Sequence, residues 1–290
     1  MPKGRVIKAQ NSFFYVQAEQ EIILCKLRGK FRKRTPVYPG DEVEIEFLPD
    51  GSGVVENILE RRNLLRRPAV ANVDQVVLTF AAAQPELHPL LLNRFLVLAE
   101  SSSIPEIVIC VNKMDLCPST REDVLALYES IGYPVLRTST RDRTGLDDVC
   151  RILEGRTTVF AGPSGVGKSS LLNRIDPSLS LGTGDVSEKI KRGRHTTRIA
   201  QLLPCEGGYI VDTPGFSAME FPELEETDLA RYFREFVPYF EECRFSPCTH
   251  SHEPQCRVKS AVDAGEISRE RYDAYLGILA EIRNRKKGYG

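Results

Sequence analysis

GPSGVGKSS, residues 162–170, is the stretch whose reading decides the fold. It follows an apolar run, TTVFA, and precedes SLLNRI, so it stands where a strand hands over to a helix. In that setting the spacing GxxxxGKS predicts a phosphate-binding loop rather than an ordinary Gly-rich helix entry. Gly162, Gly165 and Gly167 let the backbone turn closely around phosphate, and Pro163, Ser164 and Val166 fill the loop between them. Amides at the helix start, through Ser170, face the phosphate charge. Lys168 reaches the outer phosphates, and the Ser169 hydroxyl is available to Mg2+.

Working outward, GYIVDTPG ends at 215 with a strand-end turn. Asp212 can approach the magnesium and its water shell there, and Gly215 can present its amide to the terminal phosphate. Upstream, IVICV runs into NKMD, residues 112–115. The two oxygens of Asp115 match the adjacent donors of guanine, an arrangement that adenine does not offer. Asn112 is expected to bridge loops, the stem of Lys113 to lie along the base, and Met114 to complete the turn. TSTRDRTG, 138–145, supplies a second loop beside the base, with Ser139 and Thr140 as the contacting residues.

The base loops therefore precede the phosphate loops. Circular permutation produces that order: old ends are joined, new ends are opened nearby, and the site survives. It also makes the segment after DTPG leave the nucleotide core directly for the C-terminal part of the chain.

The flanks differ in character. Residues 5 to about 62 hold short alternating runs, VIKAQNSFFYVQA, EIILCKL and DEVEIEF, separated by Pro- and Gly-containing turns. They predict a small antiparallel β barrel, OB-like, although periodicity alone fits other small β folds equally. From about 70, VDQVVLTFA, IPEIVICV, YPVLRTS, TTVFAG, IAQLLP and GYIVD read as strands. HPLLLNRFLVLAES, DVLALYESI and KSSLLNRI read as helices between some of them, which predicts a mostly parallel α/β sheet. Beyond about 220 come short helices, a cysteine cluster and a helix over 275–287. The expected division is a multidomain α/β chain: barrel 1–63, permuted P-loop GTPase domain 64–222, zinc-binding domain 223–290.

The formal charge of −1 over 290 residues gives no global sign of a nucleic-acid binder, but KLRGKFRKR (26–34) and KIKRGRHTTR (189–198) are locally basic. The N-terminus carries no secretory core and no long apolar run is free of charge, which predicts a soluble, cytoplasmic protein. Five of the eight cysteines are scattered. The other three, Cys243, Cys248 and Cys256, crowd around His250, as a closed structural zinc site requires and a disulfide framework does not. His252 competes as the fourth ligand, and iron is a weaker alternative to zinc.

NKMD, TSTRDRTG, GPSGVGKSS, GRHTTR and DTPGF fall in one order that resembles the bacterial ribosome small-subunit-dependent GTPase A family over nearly the whole chain. The resemblance implies an OB barrel, a permuted GTPase and a C-terminal zinc domain with His250 as ligand. It implies a cytoplasmic monomer that binds GTP and GDP with Mg2+, and GTP hydrolysis stimulated by the small (30S) subunit and its rRNA late in subunit maturation. Phe216 follows DTPG where other GTPases place a water-orienting glutamine. Within the family pattern His195 takes the water-positioning role and Thr197 joins Ser169 on magnesium, beside the catalytic charge of Lys168. The alternatives are a GTP-dependent binding checkpoint, or a remodeller of another RNA or translation complex.

Overall fold

The computed structural model describes residues 1–10, 12–29, 36–66, 68–117, 121–182, 200–212 and 224–287. The barrel is built from β1 (Lys3–Gln10), β2 (Phe13–Ala18), β3 (Glu21–Leu27), β4 (Glu42–Phe47) and β5 (Gly53–Ile58). All its pairings are antiparallel except β3 with β5, and β1 closes the circle by pairing with both β2 and β4. Alternation does the sorting in β2, β3 and β4. Val6, Phe14, Val16, Ile23, Cys25, Val43, Ile45 and Val55 are buried in the barrel core, with outward-facing neighbours along β2 and β3, whereas Ile7 beside Val6 is buried in the core of the α/β unit and Glu56 beside Val55 is also buried. Truncating Ile45 to alanine would cost about 2–5 kcal/mol.

A short hairpin, β6 (Leu64–Arg66) with β7 (Ala69–Ala71), links the barrel to the next unit. Sequence periodicity gives no sign of strands this short. They are held in place by the turn at Gly40, whose positive φ of 91° suits glycine. A β-carbon there would lie 1.9 Å from the carbonyl oxygen of Ala71. The Ala71 amide donates to the Pro39 carbonyl at 2.8 Å, and Asn72 Nδ2 donates to the Gly40 carbonyl at 2.9 Å.

The α/β unit follows: β8 (Gln75–Ala81), α1 (Pro89–Ser101), β9 (Glu106–Asn112), α2 (Arg121–Ser130), β10 (Val135–Arg137), α3 (Leu146–Leu153), β11 (Thr157–Ala161), α4 (Lys168–Ile175), β12 (Gln201–Cys205) and β13 (Gly208–Asp212). The strand order is β10-β9-β8-β11-β13-β12, parallel throughout except for β12. β8 is buried along its whole length because helices cover both of its faces. Val76, Leu78 and Phe80 pack toward α1, whereas Val77 joins the core containing residues of α3 and α4. The antiparallel step comes from a two-residue turn, Glu206-Gly207, with positive φ at both positions, which folds β12 back on β13.

Two features differ from the sequence expectation. The barrel and the α/β sheet form one eleven-stranded sheet, joined where Lys8 of β1 pairs with Gln201 of β12. The C-terminal helix, α6 (Arg269–Lys287), starts six residues earlier than expected, because Arg271 in its first turn is drawn into the interior by Glu235. α6 packs with α5 (Arg257–Asp263) and the 3-10 segments Leu229–Tyr232 and Arg234–Glu242 around Phe233, Phe236, Val258, Tyr275 and Ile278. Val97 and Leu98 of α1 belong to the same core.

Candidate nucleotide site and metal centre

The carboxyl ends of β9, β10, β11 and β13 bring the two sets of loops to one edge of the sheet. Ladder register aligns Ala81 with Asn112, Arg137 with Val111, Ala161 with Leu78 and Val159 with Val211. Loops that open from these ends face the same space, the usual place for a ligand in such a sheet.

The phosphate loop needs its glycines for space as well as for φ. A β-carbon on Gly162 would lie 1.9 Å from the Thr79 carbonyl oxygen, and one on Gly167 would lie 2.4 Å from Asn112 Nδ2. No side chain caps the start of α4, so its first-turn amides are open to an anion. Lys168 Nζ donates to the carbonyls of Gly162 and Pro163, at 2.8 and 2.7 Å. Burial brings that ammonium down to about 8. Ser164 and Ser170 are exposed, Ser169 is half-buried and Val166 is buried.

The base motif is tied to this loop by its own side chains. Asn112, fully buried, donates from Nδ2 to the Val166 carbonyl at 3.0 Å and accepts from Thr138 Oγ1 at 3.3 Å. Lys113 takes a left-handed backbone and sends Nζ to the Gly165 carbonyl at 2.8 Å, and also to the carbonyl of Gln84. The Met114 amide donates to the Thr138 carbonyl at 3.1 Å. Asp115 Oδ1 accepts the Ser139 hydroxyl at 2.8 Å, while Arg141 Nη1 stands 3.8 Å from Oδ2. Ser139 is thus the support behind Asp115, and Thr140 beside it is half-buried. At the far side of the phosphate loop, partial desolvation raises the Asp212 carboxyl from its ordinary value.

The sequence motifs 112–115, 138–145 and 162–170 therefore converge. Thr213–Gly215, Phe216, His195 and Thr197 lie outside the described residues, as do Lys30, Arg32 and Lys33 of the basic stretch. Gln84 was not identifiable from sequence, because it contributes a backbone carbonyl from a loop with no motif. Arg141 carried a signal, a basic residue inside TSTRDRTG, that its motif reading did not use.

Cys243, Cys248, His250 and Cys256 bring their ligand atoms within 4.8 Å of one another. Cys243 Sγ lies 3.6 Å from His250 Nδ1 and 3.9 Å from Cys256 Sγ, and Nδ1 lies 3.3 Å from Cys256 Sγ. Tetrahedral zinc with bonds of about 2.0–2.3 Å needs ligand separations of roughly 3.3–3.8 Å, so the donor set fits the ion in chemistry and spacing. Burial pushes the Cys248 thiol up to about 12 and lifts Cys256 as well, and it lowers His250, leaving a neutral imidazole. A bound cation reverses the thiol shifts and is the natural counter-charge for three clustered sulfurs, of which Cys256 is buried and Cys243 and Cys248 are half-buried.

The loop around the ligands is braced from several sides. Phe240 stacks on His250 with ring centroids 5.0 Å apart, and the Tyr272 hydroxyl donates to the His250 carbonyl at 2.8 Å. Burial alone would raise the Glu253 carboxyl. Hydrogen bonds from the Thr249 hydroxyl and amide and the Ser251 amide overcome it and bring the group to about 2. His252 bonds Ser251 Oγ instead and stands outside the cluster. This is a structural zinc site.

Comparison with known proteins gives the same picture. A model of the RsgA GTPase matches residues 58–222, and a model of the RsgA N-terminal domain matches residues 3–55. The small ribosomal subunit biogenesis GTPase RsgA of Alkaliphilus metalliredigens (strain QYMF) is 47% identical over 295 residues, covering 99% of this chain and 100% of the relative. The Bacillus subtilis (strain 168) protein of the same name is 45% identical over 300 residues, with both chains covered in full. Among solved structures, YloQ, a circularly permuted GTPase, superposes with a TM-score of 0.82 at 41% identity over 98% of this chain and 96% of its own. YjeQ from Thermotoga maritima gives 0.84 at 41% identity over 97% and 98%. With its OB-like barrel, its base loops ahead of its phosphate loop and a three-cysteine, one-histidine centre after both, the chain belongs to the RsgA family of circularly permuted GTPases.

Proposed function

We propose that this chain binds GTP and GDP with Mg2+, hydrolyses GTP, and couples that turnover to late maturation of the small ribosomal subunit. Lys113 carries the nucleotide reading. Its ammonium joins the guanine motif to the Gly165 carbonyl of the phosphate loop at 2.8 Å, so two motifs in permuted order make one pocket. The name shared by the relatives, small ribosomal subunit biogenesis GTPase, supports the coupling to that subunit.

In this reading Asp115, held by Ser139, selects guanine, with Asn112, Lys113, Met114 and Thr140 shaping the rest of the base pocket. The loop Gly162–Ser170 cradles the phosphates through its amides. Lys168 turns its ammonium from the loop carbonyls toward the developing charge. Ser169 and Thr197 would hold Mg2+, near Asp212, and the ion when bound neutralises phosphate charge. Gly215 presents its amide to the terminal phosphate, and His195 orients the attacking water once RNA has arranged its loop.

The units are 1–63, 64–222 and 223–290, with the barrel's basic stretch 26–34 and the zinc unit gripping rRNA through phosphate contacts. The protein works as a cytoplasmic monomer. Among the described residues no helix is long and apolar enough to cross a membrane. GTP turnover measured alone, with purified small subunits and with large subunits tests the proposal. Stimulation by small subunits only is expected, and equal stimulation by both, or by neither, refutes it.

A further inference from the structure

The C-terminal unit is fastened to the nucleotide unit by a buried arginine, and it grips the chain between the two base-facing loops. Arg271 of α6 is 1% exposed. Its Nε and Nη2 donate to the two oxygens of Glu235 at 2.6 and 3.0 Å, and its Nη1 donates to Asn93 Oδ1 on α1. The same Asn93 oxygen accepts the hydroxyl of Tyr128 on α2 at 3.1 Å. The guanidinium also lies over the rings of Phe233 and Tyr128.

A second clasp stands beside the first. Arg234 donates from Nε to Glu100 Oε1 at 2.6 Å and from Nη1 to the Gly132 carbonyl at 3.0 Å. It sits 4.1 Å from the centroid of the Tyr133 ring, whose hydroxyl donates to the same Glu100 oxygen at 2.8 Å. Tyr128, Gly132 and Tyr133 all fall between NKMD at 112–115 and TSTRDRTG at 138–145. On its other side α6 holds the metal loop, through the Tyr272 hydroxyl on the His250 carbonyl and the Tyr275 hydroxyl on the Thr249 carbonyl.

A contact of this kind does not slide. Apolar surfaces can creep past one another, but a buried guanidinium pulled away from Asn93 keeps Glu235 and still leaves its Nη1 donor without an acceptor in a low-dielectric interior. Displacement of the C-terminal unit is therefore passed to α1 and α2 rather than absorbed at the interface.

We propose that Asn93, Tyr128 and Arg271 are positioning residues for guanine recognition. They fix the loops of Asp115 and Ser139 from behind, so the seating of the C-terminal unit governs how long the base stays bound. The proposal rests on Asp115 as guanine reader, and the experiment separates the two ideas. The probes are release of ribose-labelled fluorescent GDP from the full-length metal-loaded protein, and the ratio of affinities for GDP and inosine diphosphate, which lacks the 2-amino group.

Asn93→Leu leaves two buried donors without their acceptor. It should speed GDP release roughly three- to thirtyfold and lower the GDP-to-inosine ratio, with metal content unchanged. Asn93→Asp keeps an acceptor oxygen in place and should restore wild-type release. A purely structural role would lower the melting temperature without moving the base ratio. If Asn93→Leu does not fold, Arg234→Ala and Tyr133→Phe at the outer clasp carry the same expectation. Release and base ratio within about twofold of wild type, in folded Asn93→Leu or in both outer variants, overturn the proposal. A wild-type protein with no preference for GDP over inosine or adenosine diphosphate would instead sink the guanine reading itself.

Discussion

Replacing Asp115 with asparagine tests the base reader with a change of one atom. The Ser139 hydroxyl donates to Oδ1 at 2.8 Å, and its oxygen already accepts the amides of Arg141 and Asp142 at 3.3 and 3.4 Å. Ser139 therefore continues to demand an acceptor at Oδ1, which places the new amide nitrogen where Oδ2 stood, facing Arg141 and the base. Donor then meets donor on guanine. The loss is one charge-assisted hydrogen bond, about 1.5–3 kcal/mol, or roughly ten- to 150-fold in affinity. Xanthine carries a carbonyl where guanine has its 2-amino group, so the same amide should improve binding of xanthosine diphosphate. Titration calorimetry with both nucleotides measures the two effects. A GDP affinity within about twofold of wild type, with no gain for xanthosine diphosphate, would refute the reasoning.

Three further outcomes are expected. Lys168 titrates near 8 in the empty site, and phosphate raises it, so nucleotide affinity falls as pH rises above about 8. Calorimetry in buffers of different ionisation enthalpy should show uptake of roughly half a proton at pH 8 and almost none at pH 6.5, whereas equal uptake at both excludes Lys168 as the titrating group. Cys248→Ser should release zinc and leave the C-terminal unit open to protease before nucleotide affinity changes; stoichiometric metal with unchanged cleavage would remove Cys248 from the ligand set. His195→Ala should keep resting nucleotide affinity and subunit binding while losing most subunit-stimulated turnover, and a stimulated rate equal to wild type rejects the water-positioning role.

The motifs were legible because each is a local arrangement of residue types. The glycines of 162–167, the carboxylate of Asp115 and the spacing of Cys243, Cys248, His250 and Cys256 state their chemistry within a few positions. The barrel was legible for a similar reason, since alternation over Phe13–Ala18 or Glu42–Phe47 fixes which side faces the core. What escaped depends on partners far apart in the chain. Arg271 looks like a surface residue in SRERYD until Glu235 and Asn93 enclose it. The union of barrel and sheet rests on the pairing of Lys8 with Gln201, which no periodicity announces. α3 (Leu146–Leu153), absent from the sequence reading, sits where two aspartates follow a loop, and only Leu146, Val149 and Leu153 are buried.

The junction between β1 and β12 also orders events in time. A ribosome makes β1 first, and its barrel partners β2 and β4 are synthesised while most of the chain is still unmade. At about 5–20 residues per second, the partner strand at Gln201 follows roughly 10–40 s later. The turn at Glu206-Gly207 then folds β13 back alongside it, and β13 slots between β12 and β11. The base-reading strands β8, β9 and β10 are by then complete. The strands of the nucleotide sheet are thus completed by their last-made hairpin, seated against β1, whose barrel partners are synthesised long before it.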